Sequence, residues 1–321
     1  GLGTAVTDTG CQIMSRKVHG VKAGPWLGAN TVVFGVAGAL VPVVDIITAD
    51  LFTMYISIST IATITLFVIF TAPHPEDPAV RSSLPQRLNK SIGGSKGIYP
   101  WVSKYYVTEF LLGNMIFWLI GGKVLCSSYI EDFVVASEII SPENKAWALM
   151  VVWVSIAVGR FAGLWDQIQL NASGPGAIHP LYNHLALWVW VGLLGGMTWL
   201  AFPSSSVAFY IAISLYGFGN GPCVGYCYDL NNRLTIASET GMSIVMFGLN
   251  VGASLVPFAA TLTWGHTALS YRAIPIFVTM SMIMPLPLLY LTRPINDLAS
   301  IGKEEEETAV LIEKKVAPIE I

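Results

Sequence analysis

The side chains able to do chemistry inside the apolar stretches of this sequence are few: Asp8, Gln12, Asn30, Asn114, Lys123, Asn220 and Asn250. A carboxylate at membrane depth costs about 2.5–3.5 kcal/mol on insertion scales, so such a group is expected to face a watery cavity and to work there. Asp8 and Gln12 are four residues apart, which puts a titratable acceptor and an amide on one helical face. The alternative for Asp8 is a helix cap or a loop position. Asn114 and Trp118 repeat the four-residue spacing, and an amide beside an indole suits a sugar: hydroxyls take hydrogen bonds and C–H faces take an aromatic platform. Asn also links helices, and Trp101, Trp188, Trp190, Trp199 and Trp264, near span ends, read as interfacial aromatics.

These residues need membrane helices to position them. The chain has 321 residues, of which 54% are hydrophobic and 12% charged, a composition outside the globular range and inside the membrane class. About 20 apolar residues cross the hydrocarbon core as a helix. Full spans are expected near 25–44, 51–72, 105–126, 146–165, 182–202, 207–228, 241–263 and 272–292, with a partial span at 1–15. The fold class is therefore all-α transmembrane, and the chain is expected to begin partway through a helix.

Positive charge fixes the expected orientation. Most Lys and Arg residues fall in one alternate set of connections, with Arg160 and Arg233 counted there; the other set holds Lys145 and Arg272, and Lys123 falls inside a span. The C-terminus is thus expected to be cytoplasmic. Residues 73–104, rich in Pro, Gly and Ser, read as a cytoplasmic linker between helical bundles at 1–72 and 105–292, and 293–321, with its KEEEE run, as a disordered tail.

Glycines recur at spacings that let helices approach closely, as at Gly217, Gly221 and Gly225, and at Gly248 and Gly252. The cysteines form no CxxC pair and read as small packing residues; the histidines form no metal-ligand pattern. No HExxH, paired-aspartate or Ser/His arrangement stands out. No enzyme, catalytic residue, cofactor or metal is therefore expected, and nucleic acid is an unsuitable partner for so apolar a chain.

Several segments resemble the major facilitator superfamily, in particular its fucose permease and sodium-dependent glucose transporter branch. GLGTAVTDTGCQ at 1–12 resembles the fourth helix of that branch and FGVAGALVPVV at 34–44 the fifth. IGGKVLCSSYI at 120–130 resembles the seventh, AWALMVVWVSIAVGR at 146–160 the eighth, GFGNGPCVGY at 217–226 the tenth and GLNVGASLVPF at 248–258 the eleventh. The resemblance implies two helical bundles, with the first three helices and part of the fourth missing. It further implies a multi-pass protein, of the plasma membrane, that moves a small polar solute, a hexose, coupled to H+ or Na+. Asp8 would then couple the ion, while Gln12, Asn30, Asn114, Trp118, Asn220 and Asn250 would line the path of the solute. One departure stands out: Gly121 and Gly122 precede Lys123 where the branch often carries an acid. A lysine there favours an organic anion or drug carrier as the alternative. A receptor or scaffold that keeps the transporter fold without flux is a third reading.

Overall fold

The computed structural model describes residues 23–48, 106–173, 178–235 and 239–293, with isolated helical positions at 12, 15, 19, 52, 56, 59, 60, 63 and 64. The described chain is all helical. Its helices are α1 (Gly24–Thr48), α2 (Val107–Ser137), α3 (Lys145–Ser173), α4 (His179–Ala201), α5 (Ser206–Leu234), α6 (Glu239–His266) and α7 (Ala273–Ile283), the last prolonged past a turn at Met284 by helical residues 285–293.

Local signals account for the ends. Ser205 caps α5 through its hydroxyl, which accepts from the Ala208 N–H at 3.3 Å. Pro180 opens α4, where a missing N–H costs nothing. α2 ends as Glu138 turns into the left-handed region (φ 52°) and donates its N–H to the Val134 carbonyl at 3.1 Å.

Among the described residues six helical stretches are long and apolar enough to cross a membrane, from Val107–Ser137 to Ser270–Arg293. They coincide with six of the eight expected full spans, so the observed count is lower than the expected one. The expected span 25–44 appears as α1, whose 25 residues reach about 37 Å at 1.5 Å per residue, although it is not among those six. The expected spans 1–15 and 51–72 lie mostly outside the described residues, as do the linker 73–104 and the tail from 294 onward.

α5 is the centre of the packing: it lies against α1, α2, α3 and α4, while α6 packs on α2, α7 on α2 and α4, and α1 on α3. Glycines permit this. A Cβ at Gly221 would come within 2.6 Å of the Ile156 carbonyl of α3, and one at Gly252 would meet the backbone of Phe117 on α2. Without water to drive helices together, such close backbone approach supplies the dispersion that holds them.

Two expectations about position are corrected here. Arg160 is not in a connection: it sits inside α3 and is 4% exposed. Trp199 is not an interfacial aromatic: it is 1% exposed, edge-on to Phe133 at 5.0 Å and to Phe209 at 5.5 Å.

Candidate functional site

The middle of the bundle carries charge. Lys123, Arg160 and Asn220 each lie at the midpoint of their helices, α2, α3 and α5, and each is buried. α5 gathers them. Asn220 Nδ2 donates to the Leu119 carbonyl of α2 at 3.0 Å, one turn before Lys123. The next residue, Gly221, offers its carbonyl to Arg160 Nε at 3.3 Å. Arg160 Nη1 donates to the Thr31 carbonyl of α1. The two cations meet at one aromatic ring, that of Phe34 on α1: Lys123 Nζ is 5.0 Å and Arg160 Cζ 5.4 Å from its centroid.

The balance of this site is lopsided. A guanidinium has five N–H donors, yet among the described residues Arg160 reaches only two backbone carbonyls and a ring, and no carboxylate. A cation–π contact is worth about 0.5–2 kcal/mol, less than the cost of a cation at membrane depth. Asn220 Oδ1 is also buried with no hydrogen-bond partner among the described residues.

Backbone geometry next to Arg160 is weakened as well. Pro222 has no N–H to give the Phe218 carbonyl one turn earlier, and that carbonyl abuts Gly159 of α3. The site therefore adjoins a break in the hydrogen bonding of α5, as is common where membrane helices line a path.

Two further polar groups lie toward one end of the bundle. Asp166 on α3 accepts from the Tyr226 hydroxyl of α5, and His184 Nδ1 of α4 lies 2.7 Å from the same carboxylate oxygen. Nearer the end, Arg233 holds Asp229 with two bonds at 3.0 and 2.9 Å and reaches Asn171 of α3 at 2.8 Å. Gly24, the first residue of α1, is so close to Asp229 that a Cβ there would be 2.5 Å from the carboxylate. The N-terminal end of α1, which favours negative charge, thus rests on the one carboxylate that α5 buries completely.

The predicted residues divide accordingly. Lys123 and Asn220 stand in the central group. Gln12 is 1% exposed, with its Oε1 unpaired among the described residues, while Asp8 lies outside those residues. Asn114 and Trp118 are half-buried on α2, Trp118 edge-on to Phe117 at 5.2 Å. Asn30 and Asn250 are exposed, and Asn250 spends its amide on the Met246 carbonyl of its own helix at 2.8 Å. A surface groove along the helical positions Phe52, Ile56, Ser59, Thr60, Thr63 and Ile64 is lined by none of them.

The expectations missed Arg160, Phe34, Asp166, His184 and Tyr226. Only Arg160 carried a signal in the sequence, a cation inside an apolar stretch of spanning length. Among the described residues no three His, Cys, Asp or Glu side chains gather as a metal site requires.

Among the described residues, six helices long and apolar enough to cross a membrane, packed against one another, fit an integral multi-pass membrane protein. Compared with protein-family models, curated proteins and solved structures, the chain matches none.

Proposed function

We propose that the protein is a secondary transporter that carries a small polar solute across the membrane by alternating access of its helical bundles. One observation supports this most: buried charged and amide groups, Lys123, Arg160 and Asn220, at mid-depth on three helices that differ in sequence position but meet at α5. Such groups cost free energy in a purely structural core and are retained where a solute or ion passes.

The sequence resemblance makes a hexose coupled to H+ or Na+ the first solute to try, with Asn220 and Trp118 as sugar contacts, Asp8 and Gln12 at the coupling position, and the C-terminus on the cytoplasmic side. The test is uptake of radiolabelled glucose by the full-length protein in proteoliposomes under an imposed pH or sodium gradient. Accumulation above equilibrium supports a coupled sugar carrier. Binding of solute with no flux under any gradient supports the receptor reading instead.

A further inference from the structure

We propose that the coupling ion is a proton and that it binds at the Asp166–His184 pair, between α3 and α4. This rests on the transporter reading and names the ion and its place, apart from the coupling position that the resemblance gives to Asp8.

Three features of the pair point to it. His184 Nδ1 lies 2.7 Å from Asp166 Oδ2, and the two side chains are 36% and 22% exposed, so an imidazole and a carboxylate meet where protons still reach them. Next, α3 and α4 each lie against α5 and scarcely touch one another. Asp166 bridges them, since one of its oxygens meets His184 of α4 and accepts from the Tyr226 hydroxyl of α5; gain or loss of a proton there changes how three helices are held. Finally, the pair is tied to the central group along two helices. Asp166 follows Arg160 on α3 and Tyr226 follows Gly221 on α5, each by less than two turns. The missing hydrogen bond at Pro222 falls between Gly221 and Tyr226, where α5 yields most easily.

The other titratable groups on the surrounding helices are engaged elsewhere. On α5, Asp229 is held by Arg233, and Tyr228 donates to Met246 Sδ. The guanidinium groups of Arg233 and Arg160 keep their charge at every working pH. On α2, Glu109, Lys123, Glu131 and Asp132 bond to none of Asp166, His184 and Tyr226, and Glu131 pairs with Lys145 at the start of α3. α1 brings no titratable side chain over residues 24–40, nor does α7 over Ala273–Ile283, and His19, ahead of α1, stacks on Trp26 at 4.6 Å. On α4, His179 opens the helix and Tyr182 is buried. A metal cation suits the pair poorly: hard cations are held by several oxygens, whereas the shared carboxylate oxygen already meets a hydroxyl and an imidazole, and among the described residues no third His, Cys, Asp or Glu joins them.

The test uses the full-length protein in proteoliposomes adsorbed on a solid-supported electrode, with the proton itself as the probe. A pH jump without solute should displace charge saturably over about pH 5 to 8, the range in which imidazoles take up protons. His184→Gln and Asp166→Asn should each abolish that signal, and Asp166→Glu, which keeps a carboxylate, should retain it; if one neutral variant does not elute as folded protein, the other and Asp166→Glu carry the comparison. No charge displacement in the wild type, a signal unchanged in either folded neutral variant, or a signal lost in Asp8→Asn and kept in the pair variants would overturn the proposal. Glucose accumulation driven by a sodium gradient in liposomes that give no pH-driven signal sinks the proton assignment alone. A proton signal that the pair variants abolish, with glucose bound but carried under no gradient, sinks the transporter reading and leaves the proton site.

Discussion

At the level of single residues, the strongest electrostatic link is Asp229 with Arg233, whose side chains are 0% and 3% exposed. Taking two ions out of water is costly, so the pair is a weak argument for stability as it stands; removing one member is another matter, because the remaining charge loses this countercharge while still buried. Asp229→Asn should therefore destabilise the protein by about 3–5 kcal/mol, measured by thermal unfolding of the purified protein. Glu131→Gln makes the contrast. It breaks the pair with Lys145, 3.4 Å apart and 49% and 32% exposed, and should change stability by about 1 kcal/mol or less. The Asp166–His184 link lies between these extremes, with the histidine 36% exposed. A double-mutant cycle with Asp166→Asn and His184→Gln should give a coupling of about 1 kcal/mol after allowance for solvent screening; a coupling indistinguishable from zero would mean that Tyr226 alone holds Asp166.

At the level of helices, close approach along α5 decides whether the central group can form at all. Gly221 touches α3 through backbone atoms, which cannot rotate away as a side-chain tip can, so Gly221→Leu should push α5 off α3 and separate Arg160 from its carbonyl. The expected result is loss of the folded peak in size-exclusion chromatography. Gly265, near the end of α6, has nothing within 4 Å of a Cβ. Gly265→Ala should be neutral or stabilising by about 0.5–1 kcal/mol, since alanine is the better helix former. A loss of stability there as large as that at Gly221 would show that the open space around Gly265 and the backbone contact at Gly221 do not decide the two outcomes.

At the level of the whole molecule, α1 joins α3 and α5 at two depths: Gly24 rests on Asp229 near one end, and Thr31 and Phe34 meet Arg160 at the middle. A protein that exposes its centre to one side at a time has to loosen one of these contacts while keeping the other. Phe34→Cys should then react with a membrane-impermeant thiol reagent added to proteoliposomes. Cys126, Cys223 and Cys227 are buried and should not compete, and Cys11, which lies outside the described residues, is replaced by serine in the background. A Phe34→Cys protein that stays unlabelled from both sides would argue that Phe34 faces lipid.

Hydropathy is summed over neighbours in the chain, and lipid requires each spanning segment to satisfy its own backbone hydrogen bonds. The sequence by itself therefore determined the all-helical membrane class and the positions of α2 to α7, and it singled out Lys123 and Asn220 as polar residues within spans. Partner choice is different in kind. Tyr226 lies 60 residues and His184 18 residues from Asp166 in the chain, and Thr31 is 129 residues from Arg160; no local pattern encodes such pairings. Only the packing of glycine faces around α5 decided that two cations from different helices share the Phe34 ring, because the crossing of helices, set by backbone contact, is what turns sequence-distant side chains into one site.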